Sequence, residues 1–151
     1  MKKLALYIVL MLPLTTTLSA SLTLSEQDQK AIKATASNYA NGWYSGDKDR
    51  MASSLHPSLA KRAYLAGTEG KRQLHEMSAE ILVAGTVTEN IQQYANTAKR
   101  AEIEILDGFG QVATVKLQMN DWVDYMHMIR LENGDWRIIN VLWEFNENYK
   151  K

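Results

Sequence analysis

Residues 122–145, WVDYMHMIRLENGDWRIINVLWEF, decide the fold, because apolar and polar side chains alternate on both sides of Asn133-Gly134. An alternation with a period of two is typical of a strand that buries one face. Asn-Gly between two such runs is the strongest short hairpin signal. A two-residue loop at Asn133-Gly134 would pair Asp124 with Trp143, so the two strands would present two defined faces.

The first face of this hairpin is the one that we expect helices to cover. It carries Trp122, Asp124, Met126, Met128 and Arg130 on one strand and Arg137, Ile139, Val141, Trp143 and Phe145 on the other. The second face carries Tyr125, His127, Ile129, Trp136, Ile138 and Leu142, most of them apolar. Because this is more apolar surface than a monomer normally exposes to water, we expect a homodimer through the second face.

Two more strands are predicted before the hairpin. Ile103 and Ile105 alternate with charged residues, and the same period continues over residues 113–119. A two-residue loop at Asn120-Asp121 would place the apolar side of residues 113–119 on the first face. The second half of the chain is therefore predicted to be an antiparallel sheet.

Ser25 and Gly46 bound the first predicted helix. Ser25 precedes two acids of the first turn, Glu26 and Asp28, which favour a helix N-terminus, and Gly46 is a common helix stop. The apolar positions recur every three or four residues and define one face, which carries Ile32, Ala36, Tyr39 and Trp43.

Three shorter helices are predicted between residues 47 and 85. Asp47 caps the first, which ends at His56 because a residue before proline avoids the helical region. The second runs from Pro57 to Tyr64. The third ends at Gly85 and carries Leu74, Met77, Ile81 and Leu82. Residues 86–97 stay open between a loop and a weak strand. Helices followed by strands indicate an α+β fold, with the helices on one face of a curved antiparallel sheet.

Four motifs resemble the SnoaL-like and "putative lumazine-binding" families of the nuclear transport factor 2-like (NTF2-like) superfamily. They are YANGWYSGD at 39–47, LHP at 55–57, WVDY at 122–125 and NGDWRIIN at 133–140. The resemblance covers residues 26–146 and implies a cone-shaped α+β barrel with N-terminal helices packed on the sheet. Since the superfamily includes isomerases, cyclases, hydrolases and non-catalytic binders, the resemblance implies a pocket but no single activity.

The ketosteroid-isomerase relatives in this superfamily imply one donor. They carry an oxyanion-binding tyrosine on the opening helix, and the spacing of Tyr39 from Gly46 matches it. Their carboxylate base would fall near Ala63, where this chain has no acid. Their second donor would fall near Met126, one inward position from Asp124. This chain therefore matches the isomerase relatives at one hydrogen-bond donor and lacks their base and their second donor at the expected positions.

Asp124 is the one acid that we place on the first face. A carboxylate in an apolar wall is costly to keep ionised, so it is either hydrogen-bonded to the structure, for example by an indole N–H of Trp43 or Trp143, or used on a ligand. The candidate catalytic residues are Asp124 and Tyr39. The predicted ligand-binding residues are Tyr39, Trp43, Tyr64, Trp122, Asp124, Met126, Val141 and Trp143.

Two functions stay open for this pocket. Aromatic walls with one acid suit a small apolar or heteroaromatic ligand, as in a non-catalytic binding protein. The alternative is a SnoaL-like enzyme of isomerase or cyclase type, in which Asp124 and Tyr39 transfer protons on an apolar carbonyl compound.

Composition excludes several other function classes. Lys plus Arg and Asp plus Glu each total 17, so no basic surface for nucleic acid is predicted. The absence of cysteine removes thiolate catalysis and cysteine-based zinc sites. The three histidines, His56, His75 and His127, have no partners at metal-ligand spacing, and no phosphate or dinucleotide motif occurs. We therefore expect neither a metal nor a cofactor.

Residues 1–20 are predicted to be a signal peptide, followed by one domain over residues 21–151. Lys2 and Lys3 precede a short apolar run, residues 4–12, which is only about half of what crosses a bilayer as a helix. We therefore expect cleavage, no stable membrane anchor, and a periplasmic or secreted protein.

N-terminal sequencing or intact-mass analysis of the protein from its own cells should give a mature start near Ser21 or Leu22. An uncleaved N-terminus in the membrane fraction would contradict this prediction.

Overall fold

A computed structural model of the protein describes residues 23–67, 70–87 and 89–146, and the predicted signal peptide lies outside the described residues. The helices are α1 (Glu26–Ser45), α2 (Lys48–Ser54), α3 (Ala79–Ala84) and α4 (Glu89–Gln93). The strands are β1 (Leu55–Ala66), β2 (Arg72–Ser78), β3 (Glu102–Phe109), β4 (Val112–Gln118), β5 (Trp122–Arg130) and β6 (Trp136–Phe145).

The six strands form one curved, open sheet in the order β2-β1-β6-β5-β4-β3. The predicted α+β class is confirmed. All neighbouring strands are antiparallel except β1 and β6, which are parallel. This parallel pair was not predicted, and it adds β1 and β2 to one end of the sheet, next to β6.

Helix α1 has the predicted ends and the predicted buried face. The Ser25 hydroxyl oxygen accepts the Asp28 backbone N–H at 3.1 Å, and Gly46 closes the helix with a φ of 61°. Ile32, Ala36 and Tyr39 are buried. The positions predicted to face the sheet therefore do so, and they bring Tyr39 to the interior.

The helix predicted from Pro57 to Tyr64 is wrong, because these residues belong to β1. Pro57, which lacks an N–H, is tolerated since it lies where the β1–β6 register shifts, between Leu55 and Ala60. Beyond it, Lys61 and Ala63 are buried and alternate with more exposed neighbours, as expected for a strand.

The next predicted helix is wrong in its first part. Residues 72–78 form β2 and pair with β1, and only the short α3 follows, ending at Gly85 as predicted. Residues 86–97, left open between a loop and a weak strand, contain α4.

The predicted register of the β5–β6 hairpin holds from Trp122–Phe145 to His127–Asn140 and then shifts by one residue. The Leu131 N–H bonds the Asp135 carbonyl at 2.8 Å, so the loop holds three residues, and Gly134 lies at a φ of 90°. Such a loop with a glycine at positive φ is the next commonest way to join two antiparallel strands.

The shift moves Trp136 and Ile138 to the covered face and Arg137 to the other face, and it leaves Ile139 without a cross-strand partner on β5. The predicted first face is therefore wrong at Arg137 and Ile139. Met128 pairs with Ile138 and Arg130 with Trp136, whereas the predicted pairs were Met128–Ile139, Arg130–Arg137, Ile129–Ile138 and Leu131–Trp136. Trp136 and Ile138 are therefore buried under α1 and do not belong to the outer surface. The predicted second face is wrong at these two positions.

The other predicted hairpin is confirmed. The Met119 N–H bonds the Trp122 carbonyl oxygen at 2.9 Å, which closes a two-residue loop at Asn120-Asp121. Leu117 consequently pairs with Asp124, so the apolar side of β4 shares the covered face with that acid.

Candidate functional site

A buried lysine links α1, β1 and β5. Lys61 Nζ donates to the Tyr39 hydroxyl oxygen at 2.8 Å and to Asp124 Oδ1 at 2.5 Å. Tyr39 and Asp124 are buried, and Lys61 is only 4% exposed. Asp124 thus has an ammonium partner instead of the indole hydrogen bond considered from the sequence. Its Oδ2 has no hydrogen-bond partner among the described residues.

Burial changes the proton affinity of two members of this cluster. It lowers the pKa of the Lys61 ammonium below its ordinary value, and the Asp124 carboxylate acts in the opposite direction. Burial raises the pKa of the Tyr39 hydroxyl well above its usual range, and the negative charge of Asp124 raises it further. Tyr39 therefore stays protonated at neutral pH, and Lys61 is the member that ionises less readily than a free lysine.

A pocket of about 240 Å³ opens beside this cluster. Its walls are almost entirely apolar, and Lys61 is the lining residue with a charged side chain. The lining residues are Tyr39, Trp43, Lys61, Met77, Ile81, Leu82, Gly85, Trp122 and Trp143. Ile81 on α3 is 57% exposed, so this short helix forms the rim of the pocket.

Three tryptophans build one wall through edge-to-face contacts. The Trp43 and Trp122 rings lie 5.3 Å apart, and the Trp122 and Trp143 rings lie 6.2 Å apart. Lys61 Nζ lies 5.0 Å from the centre of the Trp143 ring, within range of a cation–π contact. The rings meet at steep angles of 77° and 68°, so the wall offers both ring faces and ring edges, with the lysine beside Trp143.

The structure brings half of the predicted ligand-binding residues to this pocket. Tyr39, Trp43, Trp122 and Trp143 line it. Asp124 bonds Lys61 but is not itself a lining residue, and Met126 and Val141 lie fully buried in the core. Tyr64 is 57% exposed and alternates with the buried Ala63, which places it on the opposite side of the sheet, away from the pocket.

Five lining residues were not predicted as site residues: Lys61, Met77, Ile81, Leu82 and Gly85. Lys61 was hidden because its segment was predicted to be a helix. The available signal was the row Leu59, Lys61, Ala63 and Leu65, in which a lysine takes an inward position of an alternating strand.

In the described part of the chain, no group of three or more His, Asp or Glu side chains could hold a metal ion. No described helix is both long enough and apolar enough to cross a bilayer.

The family model described as "Putative lumazine-binding" matches residues 27–144. The chain belongs to this family. The match runs from α1 to β6 and includes every element that contributes to the pocket. No curated protein matches the chain significantly.

Solved structures with the same fold are distant in sequence. An NTF2-like protein of unknown function from Shewanella baltica OS155 has a TM-score of 0.59 at 16% identity, over 82% of this chain and 98% of that one. An NTF-2-like protein of unknown function from Silicibacter pomeroyi DSS-3 has a TM-score of 0.61 at 15% identity, over 82% and 100%. A ketosteroid isomerase-like protein from Erwinia carotovora atroseptica has a TM-score of 0.54 at 9% identity, over 80% and 98%. These likenesses show that this family member has the NTF2-like fold.

Removing one partner of the buried ion pair should destabilise the protein strongly. Lys61→Met or Asp124→Leu leaves one buried charge without its counter-charge, at a cost of about 3–5 kcal/mol in the free energy of unfolding. The double variant Lys61→Met/Asp124→Leu removes both charges and should recover most of that loss. Urea unfolding of the unmodified protein, the two single variants and the double variant measures the coupling free energy between the two side chains. If the losses of the single variants simply added in the double variant, the two charges would not stabilise each other.

Proposed function

We propose that this protein binds a small, flat, uncharged molecule that carries a hydrogen-bond acceptor. The observation behind the proposal is the pocket itself, an apolar and aromatic cavity with Lys61 as its charged lining residue. Apolar walls with a few placed polar groups are typical of small-molecule sites. Membership of the "Putative lumazine-binding" family supports a binding role in general terms.

The charge of the cluster favours an uncharged ligand. The Lys61 ammonium is balanced by the Asp124 carboxylate at 2.5 Å, so the base of the pocket has no net charge to attract an anion. An ammonium has three N–H donors, and Tyr39 and Asp124 occupy two of them. The third N–H is left for a carbonyl, ether or ring-nitrogen acceptor of the ligand.

The size of the cavity favours a ligand of about two fused rings. The volume of the pocket, about 240 Å³, is smaller than that of pockets for drug-sized molecules, which is about 300–1,000 Å³. The tryptophan wall offers edges and faces for stacking. The ligand is therefore expected to be a small heteroaromatic or apolar compound.

Binding fits the geometry better than the alternative of proton transfer by Asp124 and Tyr39. A general base must come within hydrogen-bond reach of the ligand proton. Asp124 is not a lining residue and is already bonded to Lys61, so a ligand in the pocket meets the lysine instead. Export of the binder, which rests on residues 1–20 alone, is part of the proposal.

Equilibrium dialysis with quinoline and naphthalene tests the proposed ligand class, because the two differ by one ring atom. A hydrogen bond from the Lys61 ammonium should make quinoline bind about tenfold more tightly. The double variant Lys61→Met/Asp124→Leu should bind both equally. Ile81→Trp at the rim should weaken both ligands, whereas Ile91→Trp on the exposed side of α4 is the matched control and should change neither. Failure of both ligands to bind the unmodified protein would overturn the proposal.

We also propose that two copies associate through the outer face of the sheet, defined here as Tyr64, Leu74, Tyr125 and Leu142. Each of these four is about half exposed or more. Tyr64 pairs with Leu74, and Tyr125 with Leu142, so the patch spans four strands. Two flanking charge pairs are closed within the chain, Arg62–Glu76 and Arg72–Glu144, whereas Lys116 lies beside Tyr125 at the border of the patch. A second copy that leaves Lys116 at the solvated rim could therefore cover the patch without isolating a charge.

Sedimentation velocity tests the homodimer. The unmodified protein should sediment as a dimer, and Leu142→Lys should dissociate it because an ammonium would be buried at the interface. Ile91→Lys places the same charge at an exposed site away from the sheet and should leave the dimer intact. A monomeric unmodified protein would overturn this proposal.

A further inference from the structure

Lys61 combines three properties that rarely occur together in a lysine. It is 4% exposed, it lines an apolar pocket, and a carboxylate lies 2.5 Å from its nitrogen. Surface lysines are solvated and protonated, whereas a buried lysine is the type that serves as an amine nucleophile. Binding of an acceptor ligand uses only the N–H groups of Lys61 and leaves this combination unexplained.

We propose that Lys61 forms an imine with the carbonyl carbon of a small apolar aldehyde or ketone held in the pocket. This inference rests on the ligand-binding function proposed above and names the chemical class of the ligand. The pocket places the amine at the base of an apolar cavity, where a flat carbonyl compound would lie between the tryptophan wall and Lys61.

The groups around Lys61 can accept and return every proton that moves during imine formation. Asp124 Oδ1 first takes one proton from the ammonium, and the amine lone pair then attacks the carbonyl carbon as the C–O π bond breaks. The new C–O oxygen takes a second proton from the nitrogen, which gives a neutral carbinolamine. Tyr39, which lines the pocket and is bonded to Lys61 beside Asp124, gives its proton to that hydroxyl and takes the proton of Asp124 in its place. Water leaves, and the nitrogen lone pair forms the C=N bond. An ammonium and a carbonyl thus become a protonated imine and one water, with no oxidant or reductant.

The same surroundings favour the product. The protonated imine keeps the single positive charge that the ammonium had, so Asp124 remains its counter-ion. Burial lowers the pKa of Lys61, which makes the neutral amine easier to reach than in a solvated lysine. Lys61 is only 4% exposed, which limits the access of the water that would reverse the reaction.

Reductive trapping with 2-naphthaldehyde and sodium cyanoborohydride tests the proposal. Cyanoborohydride reduces an imine to a stable secondary amine, so peptide mapping should find a naphthylmethyl group on Lys61. Because binding holds the aldehyde beside the amine, labelling of Lys61 should exceed that of the exposed Lys48 by at least about tenfold. Saturating quinoline should suppress labelling of Lys61 and leave Lys48 unchanged.

Two variants keep the test independent of stability. Lys61→Arg retains a cation beside Asp124 but cannot form the imine, so it should fold and lose the label at position 61. Lys48→Met on α2 is the matched control and should leave labelling of Lys61 unchanged. If quinoline binds but Lys61 is labelled no faster than Lys48, the imine is refuted and the binding function stands. If neither quinoline nor the aldehyde enters the pocket, the binding function is itself refuted.

Discussion

The ion pair between Lys61 and Asp124 is the constraint on which the arrangement of the pocket depends. Taking two charges out of water costs several kcal/mol for each ion, and their attraction offsets this only when their geometry is good. Lys61 comes from β1 and Asp124 from β5, and β6 lies between these strands in the sheet. A shift of one residue in either register would turn one of the charges to the other face. The pair therefore requires the central strands to be aligned as they are.

Helix α1 is fixed to the same point. The Tyr39 hydroxyl accepts a hydrogen bond from Lys61, and the rest of the helix face packs on the apolar side of the sheet. The second connection is Trp136, whose indole N–H donates to Asp28 at 3.1 Å near the start of the helix. A third contact lies near the end of the helix, where the Tyr44 hydroxyl donates to the Arg100 carbonyl oxygen at 2.7 Å. Polar contacts at the start, the middle and the end of α1 thus set its position across the sheet. The gap left between the helix, β1 and the short α3 is the pocket.

Local signals predicted the parts of this fold that depend on neighbouring residues in the chain. The caps of α1 and the alternation of β4, β5 and β6 are properties of short segments, and so is the inward position of Asp124. The partner of Asp124 could not be found in this way, because β1 joins β6 in parallel across more than half of the chain. A proline at position 57 and alanines at positions 60, 63 and 66 also suit a short helix, and only the long-range pairing decides for a strand. The burial of Trp136 was missed for a related reason, because the β5–β6 loop holds one residue more than predicted and thereby reverses the face of Trp136.

The candidate site changes character once the partner of Asp124 is known. From the sequence, Asp124 was either held by the structure or used on a ligand, and the aromatic residues formed the walls around it. In the structure, Asp124 is buried and forms an ion pair with Lys61. Because Lys61 and Tyr39 line the pocket and Asp124 does not, the carboxylate can affect a ligand only through these two residues. A carboxylate in that position sets the orientation and the proton content of the lysine rather than acting on a ligand itself. The same two side chains can therefore account for a stable core and for a single polar contact in an otherwise apolar cavity.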